Sequence, residues 1–259
     1  MHVAVLGSGL LGVSTAYFLS QLGHQVTVID RQATPAAETS FANGGQISVS
    51  HAEPWANPTA PFQVMKWLAS KDSPLYFKPK LDLHQWRWIA KWLMECRASR
   101  CDQNTATLTA LALESKKELD LVRQKHRFKF DHLSKGIIHY YRDNESLKAA
   151  LHAADVMGKH GLDIKTLQQK EIFDLEPALA LHGQDIIGGT FAPGDQSGDA
   201  YKFCQEMTYF LQEMGVKFYF NTGIVSATKV NKTTTSMTCV DLNDSEHYYA
   251  FDLSAKNFV

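Results

Sequence analysis

Six residues near the start carry the clearest chemistry in the chain. Gly7-Ser8-Gly9-Leu10-Leu11-Gly12 stands directly behind the apolar run Val3-Ala4-Val5-Leu6, the order of a strand, a tight turn and a helix. In such a turn the first glycine permits the sharp bend, the second lets the backbone approach a pyrophosphate, and the third lets the helix pack against its strand. Free N–H groups at the helix start then face the anionic phosphates. A second apolar run, Val26 to Ile29, ends at Asp30, close to the spacing at which a carboxylate accepts hydrogen bonds from a ribose 2′-hydroxyl. A 2′-phosphate would be repelled there, which disfavours NADP. FAD and NAD share this fingerprint, and the glycines alone do not choose between them.

The rest of the inventory excludes more than it adds. No Ser-His-Asp set, metal-ligand spacing or carboxylate dyad stands out. Cys96, Cys101, Cys204 and Cys239 lack CxxC pairing and read as isolated thiols of a reducing compartment. His51 follows the polar loop and is of a residue type that can act as a general base, but it reads as a lone surface histidine. A net charge of −1 leaves no electrostatic footprint for nucleic acid. No apolar run of about 18 residues is available to span a bilayer, and a strand starting at His2 leaves no room for a signal peptide. The expectation is a cytosolic protein, at most resting on the cytoplasmic face of a membrane.

The elements that position the fingerprint are a strand (His2 to Leu6), a helix (Gly9 to Leu22) and a strand (Gln25 to Asp30), whose nearly all-apolar strands suit a covered parallel sheet. A loop from Gln32 to Pro61 follows. Helices are predicted over Phe62 to Ala69, Leu83 to Ser99 and Asn104 to His126, the last with Leu108, Leu111, Ala112, Ser115, Leu119 and Val122 on one face. Next come a strand at Ile137 to Tyr141, a helix near Asn144 to His160, a short helix stopped by Pro177, and a strand at Gly188 to Ala192. The helix after Gly198-Asp199 carries Phe203, Met207, Phe210, Leu211 and Met214 on one face and ends at Gly215. Val216, Phe218 and Phe220 alternate beyond it as a strand. With 259 residues, 44% of them apolar, the chain has the length for two modest domains.

The fingerprint, Glu38-Thr39-Ser40-Phe41-Ala42-Asn43-Gly44-Gly45-Gln46-Ile47-Ser48, Ala52-Glu53-Pro54-Trp55, Glu176-Pro177-Ala178-Leu179, and Gly188-Gly189 through Gly198-Asp199 together resemble the D-amino-acid dehydrogenase branch of the FAD-dependent amine-oxidising flavoproteins. The likeness runs in order over nearly the whole chain. It implies an α/β fold: a Rossmann-like FAD-binding domain, a parallel sheet with flanking helices, into which a mixed α+β substrate domain is inserted. The corresponding division is residues 1–60 for the FAD-binding unit and flavin-side loop, 61–192 for the helical layer and substrate domain, and 193–259 for the return to the FAD-binding domain.

The resemblance also implies an activity: hydride removal from the α-carbon of a D-amino acid, giving an imino acid that hydrolyses to a 2-oxo acid and ammonia. Electrons would pass to a quinone-linked acceptor. By position, Gly7, Gly9 and Gly12 hold the pyrophosphate, with Val5, Leu6, Ser8, Leu10 and Leu11 around them. Asp30 holds the adenosine ribose beside Arg31. Ser40, Asn43, Gly44, Gly45, Gln46 and Ile47 run along the phosphate and flavin side, and Ile224 matches a position that contacts the adenine. No catalytic side chain is assigned, because hydride transfer to a flavin asks mainly for orientation and a dry pocket. D-alanine is a family expectation for the substrate. Where the family has Tyr in a Pro-Gly-Tyr run, this chain has Val49-Ser50-His51. For Asn43, a local Asx turn is the alternative to a flavin contact.

Trp55, Trp67, Trp86, Trp88 and Trp92 are dense for so short a segment, with Trp88 and Trp92 at i, i+4. Two readings stand: core filling, or a helical layer that rests on the membrane surface with Lys66, Arg87, Lys91 and Arg97 around it. Phe251 to Val259 looks like the approach to the family's next cofactor-domain strand. That end predicts incomplete domains, an unpaired edge strand and an uncovered apolar face. Two other functions stay open: an NAD-binding regulatory module, and a non-catalytic remnant held soluble by a partner.

Overall fold

A computed structural model describes residues 1–70, 77–230, 234–243 and 248–254. Two compact units divide the chain: Met1–Gln46 with Lys125–Leu133 and Ser197–Val259, and Ile47–Gln124 with Ser134–Gln196.

The first unit is built on a six-stranded sheet. Its parallel half follows from three short apolar strands: His2–Leu6 lies against Gln25–Ile29, with Val3 opposite Val26 and Leu6 opposite Ile29, and Gln25–Ile29 lies against Lys217–Tyr219. Val26, Thr27, Val28 and Ile29 are all buried, the pattern of a strand covered on both faces. Beyond His2–Leu6 the direction reverses. Tyr248–Ser254 joins it through His2 and Ser254, then pairs antiparallel with Thr234–Asp241, which pairs with Thr222–Lys229 at the edge. The sheet expected to be parallel is therefore parallel over three strands and antiparallel over the other three. The Phe251–Val259 segment divides, since its first part lies in the strand ending at Ser254 and residues 255–259 lie outside the described residues.

Helix Leu10–Gln21 buries Val13, Ala16 and Tyr17 and packs against helix Ala200–Glu213, whose buried face is Phe203, Cys204, Met207, Thr208 and Leu211. Asp199 caps that second helix by accepting the Lys202 N–H, a side-chain oxygen satisfying a donor that has no intrahelical partner. Met214, expected on the inner face, is exposed. Burial pushes the Cys204 thiol up to about 12, so it is an inert packing residue.

The second unit holds a three-stranded antiparallel sheet, in the order Ile137–Tyr141, Gly188–Ala192, Lys165–Leu167. Leu167, Ile172 and Ile186 form one core beside it, and Val49, Ala52, Ala153, Met157 and Leu162 form another. Its helices include Ala60–Leu68, Leu83–Glu95 and Asn144–Lys159. The long helix runs Ala98–His126 and buries Thr105, Thr109 and Val122. Leu108 and Leu111, expected on its inner face, are exposed. The reason is chemical: Thr105 and Thr109 donate their hydroxyls to the carbonyls four residues back, at 2.9 and 2.8 Å, so a polar residue type can be buried without an unmet hydrogen bond.

Candidate cofactor site

The turn after the first strand has a backbone that dictates its residues. Gly7 has φ +96°, a left-handed conformation that side chains disfavour, and its N–H donates to Ile29 O at 2.8 Å. A β-carbon on Gly12 would stand 1.9 Å from Gly7 O. Gly9 is different: with φ −73° it is unstrained, and a β-carbon there would approach only Ser40 Oγ, at 3.2 Å. Ser40 Oγ accepts the Leu10 N–H at 3.1 Å, so a residue thirty positions away supplies a cap for the fingerprint helix.

Asp30 binds the turn to the second strand. Its Oδ2 accepts both the N–H and the hydroxyl of Ser8, each at 2.6 Å, and its Oδ1 accepts the Gln32 N–H at 2.8 Å. Three of about four acceptor positions on a carboxylate are thus used within the protein. Arg31 pairs with Glu38, and Gln32 Nε2 donates to the same carboxylate. The Gln32 hydrogen bond, followed by the Arg31 guanidinium, holds Glu38 below the usual carboxylate range.

These residues line one cleft of about 640 Å³. Gly7, Gly9, Asp30, Arg31, Ser40 and Ile224 meet there, and Ile224 is 46% exposed, an apolar side chain on the cleft wall. Of the remaining fingerprint positions, Val5 and Ser8 are buried and Leu6, Leu10 and Leu11 are exposed outside the cleft lining. The sequence reading missed Ala36, Glu38 and Thr222 in the wall. Ala36 has no local signal, yet it is buried with φ +59°.

Consecutive to Ser40, Phe41 begins a second hollow of about 340 Å³ shared with Asn43, Gly44, Gly45, Asp131 and Gly198. The loop is pinned by crossing backbones: Gly198 N–H donates to Gly45 O at 2.8 Å, and a β-carbon on Gly45 would lie 2.8 Å from Gly198 O. Asn43 takes the Asx-turn geometry, its Oδ1 accepting the Gly45 N–H at 2.8 Å and its Nδ2 donating to Ser40 O at 3.1 Å. Gln46 is exposed at the end of the first unit, and Ile47 opens the second.

Within the second unit, the buried Asp195 gathers the segment that follows Ile47. Ser48 Oγ and Ser50 Oγ donate to its Oδ2 at 2.6 and 2.5 Å, and Val49 N–H to its Oδ1 at 3.0 Å. Ser50 Oγ also lies 3.3 Å from His139 Nε2, and the His51 ring stacks on His139 with centroids 5.9 Å apart. Burial, then the neighbouring His51, lowers the His139 pKa against the opposing pull of Asp195. Among the described residues no group of three His, Cys, Asp or Glu side chains is arranged to hold a metal ion.

A glycine turn, a strand-end acid and a Rossmann-like sheet around one cleft are the architecture of a dinucleotide-binding fold, and comparison with known proteins narrows it. The chain belongs to the FAD dependent oxidoreductase (DAO) family, whose model matches residues 2–246. It is 43% identical over 220 residues to a D-amino acid dehydrogenase of Dechloromonas aromatica, covering 85% of this chain and 53% of that protein. It is 41% identical over 227 residues to a D-amino acid dehydrogenase of Paramagnetospirillum magneticum, covering 87% and 54%. Among solved structures, glycine oxidase from Bacillus cereus superposes with a TM-score of 0.59 at 20% identity, covering 99% of this chain and 53% of that one. L-alpha-glycerophosphate oxidase from Mycoplasma pneumoniae, with FAD bound, gives 0.62 at 20% identity, covering 91% and 48%. These two likenesses concern the fold. The chain spans about half the length of the curated relatives it matches.

Proposed function

We propose that this chain is the cofactor-holding half of an FAD-dependent D-amino-acid dehydrogenase, which oxidises a D-amino acid to an imino acid that water converts to a 2-oxo acid and ammonia, with electrons leaving to a quinone-linked acceptor. The observation that carries the reading is the fingerprint cradle, in which a β-carbon at Gly12 has no room and the turn opens on a cleft walled by Asp30, Arg31, Ser40 and Ile224. Its residue types suit FAD. The Gly9 backbone N–H would face the pyrophosphate, beside the Ser40 hydroxyl that caps the Leu10 N–H, Asp30 would take a ribose hydroxyl on its remaining acceptor position, and Ile224 would cover the adenine. Ser40 to Ile47 would run beside the phosphates and flavin.

When bound, the flavin supplies a two-electron acceptor for the hydride of the substrate α-carbon. The protein's own part is positional. Ser40 fixes the start of the fingerprint helix, the Gly45–Gly198 backbone bond fixes the loop, and Asp195 holds Ser48 and Ser50 immediately after it. The relatives named D-amino acid dehydrogenase, at 41% and 43% identity, support the substrate class.

An anaerobic absorbance spectrum of the purified chain with excess FAD, then D-alanine, tests the reading in two stages. Protein-bound flavin bands that bleach on adding D-alanine are the expected result. Absence of bound flavin would overturn the cofactor site, and affinity for NAD without a flavin spectrum would replace it by a nicotinamide module. Bands that stay unbleached with a panel of D-amino acids would overturn turnover by this chain while leaving the cofactor site standing.

A further inference from the structure

The three-stranded sheet of the second unit has two unlike faces. Ile138 stands opposite Phe191, and both pack against the apolar core of Leu167, Ile172 and Ile186. Side chains alternate along a strand, so the residues one step along turn the other way. There His139 stands opposite Thr190, Thr190 opposite Thr166, and Tyr141 lies two places past His139 on the same strand. An antiparallel sheet commonly turns such a polar face to water. This one is walled in, since Thr190 is buried and His139 and Tyr141 are half-buried.

The wall is the segment that follows Ile47. His51 stacks on His139 with ring centroids 5.9 Å apart, Ser50 Oγ lies 3.3 Å from His139 Nε2, and Ala52 is seated in the core with Ala153 and Met157 of helix Asn144–Lys159. Glu53 comes next, held between the histidine stack and that helix. It is exposed, yet burial raises its pKa above the ordinary carboxylate value, against the opposing pull of His51 and His152. A residue open to solvent at one edge and walled elsewhere stands in a recess. Tyr141 shares that recess: burial, then the Glu53 charge, raises its phenol, against a hydrogen bond with Thr190.

Glu53 is the unpaired acid of the recess. Among the described residues no Lys or Arg pairs with it and no donor bonds it. The charged groups around it are engaged elsewhere. His152 Nε2 lies 2.9 Å from Asp102 Oδ1, and Asp195 is taken up by Ser48, Val49 and Ser50. Arg142 pairs with Asp185 and lies over the ring of Tyr140, on the other face of the strand. A partly desolvated carboxylate without a cation of its own gains by taking one from outside.

We propose that Glu53, with Tyr141 and the stacked His51 and His139, is the recognition site for a cationic substrate side chain, so that this chain prefers D-amino acids ending in an ammonium or guanidinium group. The assignment rests on the reading of the substrate as a D-amino acid and adds which members of that class are taken. The Glu53 carboxylate would pair with the cation, and the Tyr141 ring would offer its face to the cation and its methylene stem. His139, its pKa lowered by burial and then by His51, is neutral at pH 7 and adds no repulsion. Glu53 also lies six residues past Ile47, on the same stretch of chain as the loop assigned to the flavin.

Calorimetric titration of the full chain tests it, with FAD added and reduced in advance so that binding is read without turnover. The ligands are D-lysine, D-arginine and D-norleucine, the last matching the lysine stem without its ammonium. D-lysine and D-arginine are expected to bind at least about fivefold more tightly than D-norleucine, the worth of one charge-assisted contact at a partly open site. Glu53→Gln should bring both down to the D-norleucine level with D-norleucine binding and circular dichroism unchanged, and Glu53→Asp should keep part of the preference. Equal binding of D-lysine and D-norleucine, no binding of any of the three, or a preference that persists in Glu53→Gln would overturn the proposal. Bleaching of the oxidised flavin by D-alanine without any preference for a cation would strike this site and leave the proposed function. A preference lost in Glu53→Gln, in a chain whose flavin no D-amino acid bleaches, would strike turnover and leave this site.

Discussion

A β-carbon on Gly12 would stand 1.9 Å from the carbonyl oxygen of Gly7, whereas one on Gly9 would meet only the Ser40 hydroxyl at 3.2 Å. The obstacle at Gly12 is backbone, which cannot rotate away. Gly12→Ala is therefore expected to separate the helix from its strand, destabilising the first unit by about 3 kcal/mol or more and abolishing flavin retention. Gly9→Trp should keep the fold, since its φ is ordinary, and lose flavin by filling the space a pyrophosphate needs. Urea unfolding together with flavin content after gel filtration checks the pair. Flavin content unchanged in Gly9→Trp would remove the fingerprint from the cofactor site.

Asp30 has two tasks that substitution can pull apart. Two Ser8 donors and the Gln32 N–H converge on its carboxylate, and hydrogen bonds to a charged group contribute about 1.5–3 kcal/mol each. Asp30→Ala should cost at least about 2 kcal/mol of stability and weaken FAD binding by about tenfold or more, the equivalent of one good hydrogen bond. Ser8→Ala removes one donor and frees an acceptor position, so it should cost about 1.5 kcal/mol while FAD affinity stays within about threefold. Equal loss of affinity in both variants, measured by flavin fluorescence titration, would mean that Asp30 serves only the turn.

How far these features were readable depends on the distance over which each is encoded. The fingerprint strands were legible because Val26 to Ile29, covered on both faces, must be apolar throughout. The helix caps Asp143 and Asp199 were within reach of the same local logic. The antiparallel strands Thr222–Lys229 and Thr234–Asp241 were not, since Thr, Ser, Lys and Asp dilute their alternation and the edge strand leaves Ile224 and Val225 exposed; the strand ending at Ser254 was anticipated only through the family resemblance. Asp195 was illegible for a different reason. In sequence it is an acid in a glycine-rich turn, normally solvated, and its burial is made tolerable only by Ser48 and Ser50, some 145 residues away. Ser40, thirty residues from the helix it caps, is a milder case of the same long-range encoding.

Ala36 sits in the cleft wall at φ +59°, in the left-handed region that costs a side-chain-bearing residue about 1–2 kcal/mol. Its N–H donates to Ser8 O at 3.2 Å, so the strained turn is held against the fingerprint. Ala36→Gly should relieve the strain at some cost in chain entropy, leaving a net gain of up to about 1 kcal/mol. A higher thermal midpoint with flavin content unchanged is the expected outcome. A lower midpoint would mean that the buried methyl contributes more by packing than the backbone costs.

His139 gives the second unit a dependence on pH whose sign is fixed by its surroundings. Burial, then His51, lowers its folded pKa below the ordinary 6.5, so the unfolded chain binds the proton more readily. The stability this contributes is complete above the unfolded value and is lost as pH falls through the lowered folded value. Protonation would place a cation beside His51 and turn Nε2, which lies 3.3 Å from Ser50 Oγ, into an obligate donor, disturbing the set of bonds centred on Asp195. The thermal midpoint should fall as pH is taken from 7.5 to 5. His126, also lowered by burial and then by Lys125, adds a fall of the same sign in the first unit. His139→Gln keeps a polar side chain without the titration, so it should flatten the second unit's share of the slope, and His126→Gln alone should not. Amide hydrogen exchange of Ile137–Tyr141 against Leu10–Gln21 resolves the two units. An acid-induced loss of protection in Ile137–Tyr141 that is the same in His139→Gln as in the parent would assign the slope to another group.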